Sequence, residues 1–150
     1  MPSPAEAGSP DAHALYREAQ AQRESGRLAS AEACFRKALH LFHREGALAQ
    51  AMKSLSGIAS TQELKGRLPL ALRTQRWILR LCADGSRIEG RFWALCDMAF
   101  LLMRLGRAAE AKARLSDTTL HSLRFKPSLS PGRPGCDHRF PSARRERTNS

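Results

Sequence analysis

Leu95-Cys96-Asp97-Met98-Ala99-Phe100-Leu101-Leu102-Met103-Arg104-Leu105-Gly106-Arg107-Ala108-Ala109-Glu110-Ala111 decides how the chain is read. Gly106 interrupts apolar residues at helical spacing. Leu95 lies eleven residues before it, Ala99 seven before it and Ala111 five after it. The same offsets recur 40 residues apart, as Leu55, Ala59, Gly66 and Ala71, and as Leu15, Ala19, Gly26 and Ala31. Fixed offsets held through three copies identify a repeat array.

The physical reading of each copy is a pair of helices. The glycine ends the first helix, where a left-handed backbone costs little without a Cβ. Apolar spacing is helical on both sides of it, as in Leu95, Met98, Ala99 and Leu102, and in Leu28, Ala31, Phe35, Ala38, Leu39 and Phe42. The alanines let two antiparallel helices approach closely, where a larger residue costs ~1–3 kcal/mol. Pro69 falls in a first helical turn, where its missing N–H is not needed.

The chain has 150 residues, of which residues 12–123 read as helix. Residues 1–11 hold three prolines and no apolar period, and read as a disordered leader. Residues 124–150 hold Pro127, Pro131, Pro134 and Pro141 with few aliphatic residues, and read as a disordered tail. The formal charge is +11. Residues 121–150 carry 7 basic and 2 acidic residues, densest at Arg144-Arg145-Glu146-Arg147. That tail reads as a basic arm or as a solvated segment without a partner. No apolar run approaches the ~20 residues of a membrane span. The start of the chain lacks the basic and apolar stretches of a secretory signal, so the expected location is cytoplasmic.

The pattern resembles the tetratricopeptide repeat (TPR) family over residues 12 to about 120. Ala19, Gly26 and Ala31, Ala59, Gly66 and Ala71, and Ala99, Gly106 and Ala111 occupy family positions in three copies. The copies run over 12–51, 52–91 and 92–123. The chain departs from the family in three ways. Gln22, Gln62 and Gln75 stand where large apolar residues are usual. No copy has the closing proline. The period is 40 where the family norm is about 34. Longer helices or loops between pairs account for the extra length, with Arg44 to Ala51 and Asp84 to Arg91 filling that space. The lengthened repeats look like those of G-protein-signalling modulators, kinesin light chain and bacterial peptide-sensing regulators.

The resemblance implies an all-α fold, a short right-handed solenoid of three antiparallel helix pairs. It also implies that the first helix of each pair lines a concave groove. Tyr16, Arg17, Gln20 and Arg23 of the first copy, and Lys53 of the second, then face that groove. Trp93, Asp97, Phe100, Met103 and Arg104 of the third do so too. Family members that clamp chaperone C-termini use a Lys and an Asn where Tyr16 and Gln20 stand here, and another Asn where Gly57 stands, which argues against that ligand. The helix from Arg87 to Arg104 is apolar nearly all round, and such a helix is usually covered on both sides. Either the final helix or tail covers it, or a partner does.

The expected function is non-enzymatic: an adaptor or regulator binding a peptide or amphipathic helix of another protein. Trp93, Phe100 and Met103 would anchor the partner, and Arg17, Arg23 and Arg104 would select acidic neighbours. The alternative is a nucleic-acid-associated protein, using the basic arm and Arg73, Arg76 and Arg80 on one helical face. The last pair has no polar capping helix after it, and Leu115, Leu120 and Leu123 continue its apolar face, so self-association there is a further expectation.

No nucleotide-binding or hydrolase motif of the GxxxxGK[ST], GxGxxG or GxSxG kind is present. His40 and His43 could share a metal but lack a third ligand, and read as a solvated face. Cys136-Asp137-His138 has no second cluster to complete a site. Cys34, Cys82 and Cys96 read as small apolar residues within helices. No metal and no cofactor is expected.

Overall fold

The computed structural model describes residues 11–83 and 87–122, and among them the regular structure is entirely α-helical. The helices are α1 (Ala12–Glu24), α2 (Leu28–Arg44), α3 (Leu48–Leu64), α4 (Leu68–Leu81), α5 (Ile88–Arg104) and α6 (Ala108–Ser122). Each packs against its neighbours in sequence, as an all-α helical repeat does. Residues 1–10 of the expected leader, the whole expected tail with its basic arm, and Leu123 lie outside the described residues.

The turns carry the regularity. Gly26, Gly46, Gly66 and Gly106 all have φ between 70° and 80°. At each, the glycine N–H reaches back three residues and the next N–H reaches back five. At the first turn these bonds are Gly26 N to Arg23 O at 3.0 Å and Arg27 N to Gln22 O at 2.8 Å. At Gly46 they are Gly46 N to His43 O at 3.1 Å and Ala47 N to Phe42 O at 2.9 Å. This paired arrangement satisfies carbonyls that a helix end otherwise leaves open, and it needs a left-handed residue.

The turn between pairs at Gly46 is therefore the same as the turn within a pair at Gly26 or Gly66. Between the first two pairs the lengthening lies in helices, with 17 residues each in α2 and α3, and α5 has 17 as well. Arg44 to Ala51 is a tight turn flanked by helix. From α1 to α4 the underlying unit is a single helix with its turn, repeated every 20 residues through Gly26, Gly46 and Gly66 and read at 40 because alternate helices differ. As a result α3 begins at Leu48 and α5 at Ile88, four residues ahead of the copy starts at 52 and 92. Pro69 sits in the first turn of α4.

The repeated alanines Ala19, Ala31, Ala59, Ala71, Ala99 and Ala111 are all buried at helix contacts. Gly57 has a second use for a missing side chain. A Cβ there would lie 2.5 Å from Cε1 of the buried Phe35 ring, so α3 meets α2 at ring distance. Cys82 is buried and Cys34 and Cys96 are half-buried.

The three glutamines at normally apolar positions connect helices. Gln22 Oε1 accepts from the Cys34 thiol, 3.7 Å away, joining α1 to α2. Gln75 Nε2 donates to Asp97 Oδ2 at 3.0 Å, joining α4 to α5. Gln62 lies in a longer relay. Its Nε2 donates to Glu32 Oε1 at 3.3 Å, and its Oε1 accepts from the Thr74 hydroxyl at 2.8 Å. Glu32 also accepts from Arg36 and Lys65, each at 2.9 Å. The relay crosses from α2 through α3 to α4. Buried polar groups must be paired in this way, because leaving one unsatisfied costs ~1–3 kcal/mol.

Burial pushes the Glu32 carboxyl up. Hydrogen bonds from Arg36, Lys65 and Gln62, with the Lys65 charge, outweigh burial and hold it at about 2, below the ordinary 4.5. A lowered carboxyl contributes stability that is full above its unfolded value and is lost as pH falls through the folded one. We expect Glu32→Gln to destabilise the fold at neutral pH by on the order of 2 kcal/mol. Chemical denaturation across pH checks this. The gap between wild type and variant should close as pH falls from 4.5 towards 2. A gap that does not change with pH would contradict the role given to the carboxylate.

Candidate functional site

The residues expected to line one groove divide by burial. On α1, Arg17 is exposed and Gln20 is half-buried. Tyr16 and Arg23 turn onto Phe35 of α2. The Tyr16 ring meets it edge-on with centroids 5.5 Å apart, and the Arg23 guanidinium lies 5.5 Å from its centroid. Arg23 is buried there and serves the contact between α1 and α2. Lys53 of α3 is exposed.

On α5 the expected apolar face splits in two. Trp93 is 8% exposed and Asp97 is 4% exposed. Both line a small hollow of about 20 Å3 with Met52, Gln75, Ile78 and Gly90. Trp93 is thus part of the packing among α3, α4 and α5, so within the fold it is already covered by the chain's own helices. Phe100 and Met103 remain at the surface, 44% and 62% exposed. Arg104 donates to Glu63 Oε1 at 2.8 Å, which joins the C-terminal ends of α3 and α5. The same guanidinium lies 5.9 Å from the Phe100 ring centroid. Leu64, next to Glu63, is 57% exposed. Two helix ends are therefore tied by an ion pair, and each carries an exposed apolar residue next in sequence to its member of the pair, Leu64 on α3 and Met103 on α5.

A larger hollow lies elsewhere, between the second helices of the first two pairs. It has a volume of about 560 Å3 and is walled by α2 and α4, with α3 between them. α3 contributes Ala51, Leu55, Ile58 and Gln62. Leu39, Leu70 and Leu81 of the walls add apolar surface. Arg36, His40 and His43 line it from α2, and Arg73, Trp77 and Arg80 from α4. Trp77 is 46% exposed. Among the described residues no Asp or Glu lines the hollow. Sequence reading placed His40 and His43 on a solvated face and Arg73, Arg76 and Arg80 on one helical face. It did not bring these two sets together. The signal that joins them is Gly46, which stands midway between Gly26 and Gly66 and folds α2 and α4 onto the same side of α3.

Among the described residues no cluster of three or more His, Cys, Asp and Glu could hold a metal ion. No described helix is long and apolar enough to cross a membrane. Comparison with protein-family models, with curated proteins and with solved structures finds no match to this chain.

Burial changes what a substitution at Trp93 does. Trp93→Ala should open a cavity and cost about 3 kcal/mol of folding stability. Thermal and chemical denaturation test this. A variant as stable as wild type would return Trp93 to the surface.

Proposed function

We propose that the chain is a non-enzymatic interaction module that holds a peptide or helix of a partner protein on the surface formed by the first helices of its pairs. The observation that carries this reading is the apolar surface at the joined ends of α3 and α5. Leu64 and Met103 are more than half exposed beside the Glu63–Arg104 ion pair. Apolar side chains gathered at one exposed place mark interaction sites more often than scattered ones do. A neighbouring ion pair supplies direction and partner choice. The resemblance of the repeat to TPR arrays, whose first helices line the binding face, supports the same placement. Among the expected residues, Phe100, Met103 and Arg104 belong to this surface, and Leu64 joins them.

The role that follows is that of an adaptor or regulator working by occupancy, with cytoplasmic location as part of the reading. Phosphate binding through the basic arm, with Arg73, Arg76 and Arg80 of α4, is the alternative. The arm lies outside the described residues, and the three arginines are exposed on α4.

Affinity capture from nuclease-treated extract, using residues 1–150, tests the reading. Leu64→Glu and Met103→Glu change exposed positions, so helicity and thermal midpoint should stay as in wild type. Each should weaken capture of the wild-type partners by about 1–2 kcal/mol, the loss typical of an interface anchor. Equal capture by both variants would contradict the placement. Partners lost on nuclease treatment alone would favour the nucleic-acid alternative.

A further inference from the structure

The hollow between α2 and α4 is a different surface from the ends of α3 and α5, and it has a chemistry of its own. We propose that it is a second docking site, and that its occupant is an amphipathic helix of another protein with acidic residues along the borders of its apolar face. The proposal stands whether or not the surface at α3 and α5 binds a partner.

Shape is the first argument. α2 and α4 each follow a glycine turn of the same kind, and α3 lies between them with Leu55 and Ile58 in the lining. Lining residues on α4 run from Leu70 to Leu81, which is about 16 Å of helix at 1.5 Å per residue. That length matches about three turns of a docked helix, the recurring way in which an apolar groove takes an amphipathic segment.

Charge is the second argument. Arg36, His40 and His43 face the hollow from one wall, and Arg73 and Arg80 from the other, with no carboxylate among the described lining residues. Arg36 is engaged with Glu32 at 2.9 Å. Arg73 and Arg80 have no ion-pair partner among the described residues. They stand at i and i+7 with Trp77 between them, so one face of α4 presents a cation, an aromatic ring and a cation. A helix with an apolar stripe and acidic borders would put its carboxylates opposite these cations and its stripe on the leucines. Trp77, 46% exposed at the wall, would serve as the buried anchor once the helix is seated.

The same features exclude nearer candidates. The chain's own residues 121–150 carry 7 basic and 2 acidic residues, so their charge repels them from this hollow. A nucleic-acid strand needs a continuous track of cations and several stacking rings. Here Trp77 is the one large aromatic side chain among the described lining residues, with two imidazoles on the opposite wall, and the leucine and isoleucine lining offers phosphates nothing.

The test uses the full chain and a displayed library of helical peptides with a fixed leucine stripe and randomised flanking positions. Selected peptides should be enriched in Asp and Glu at the borders of the stripe. Titration of a selected peptide against Arg73→Glu and against Trp77→Ala should show affinity reduced about tenfold or more. Arg80→Glu provides an independent variant on the same wall. Met103→Glu should bind the peptide as wild type does, which separates this site from the surface at α3 and α5. Thermal midpoints of all four variants should stay near wild type, since each side chain is exposed. The proposal is overturned by selection without acidic enrichment, or by binding indifferent to both Arg73→Glu and Trp77→Ala. It is also overturned if a single-stranded oligonucleotide displaces the peptide at matched concentration and physiological salt. Self-association of the chain that Trp77→Ala abolishes would give the hollow to a second copy instead.

Discussion

Left-handed glycines, 20 residues apart at Gly26, Gly46 and Gly66 and again at Gly106, are the constraint on which the rest of the structure depends. Gly26, Gly46 and Gly66 each close a helix with the same pair of backbone bonds, and Gly106 does so again. Each turn is short, so each helix must run back along the one before it. Because the turn at Gly46 matches those at Gly26 and Gly66, α2 and α4 come to the same side of α3. A longer or looser connection there would leave α2 free to swing, and the hollow lined by Arg36, Trp77 and Arg80 would have no fixed walls.

Short turns set direction, and side chains then set depth and register. Alanines at the contacts allow close approach, and Gly57 takes this to its limit against the Phe35 ring. Polar relays then choose among the registers that apolar packing alone would accept. Glu32, Gln62 and Thr74 bond in series across three helices, and sliding α3 by one turn would break each of those bonds. Gln75 with Asp97 does the same between α4 and α5. A net hydrogen bond contributes only ~1 kcal/mol, but an orphaned buried group costs more than that. The relay therefore acts mainly by penalising wrong registers.

Much of this was legible in the chain. The offsets around Gly26, Gly66 and Gly106 identified helix pairs and their small contact residues, and the helices lie where those offsets put them. The half-period escaped because the residue seven before each glycine alternates. It is Ala19, Ala59 and Ala99 in the first helices, but Leu39 in α2. Trp93 was read as a groove anchor because a helical wheel places it on one face with Phe100 and Met103. A wheel does not know where neighbouring helices stop. Trp93 lies at the level where Met52 and Ile78 cover α5, whereas Met103 lies in its last turn beside the end of α3. The α2–α4 hollow escaped for a related reason. Its walls come from segments far apart in sequence, and each alone reads as a solvated basic face.

The most direct test replaces Gly26, Gly46, Gly66 and Gly106 with alanine one at a time and measures chemical denaturation. An L-residue in the left-handed region costs roughly 1–2 kcal/mol. A single turn design predicts that Gly46→Ala loses as much stability as Gly26→Ala and Gly66→Ala. If Gly46→Ala were neutral while the others lost stability, residues 44–51 would form a loose connection. The 20-residue unit, and the hollow that depends on it, would then be contradicted.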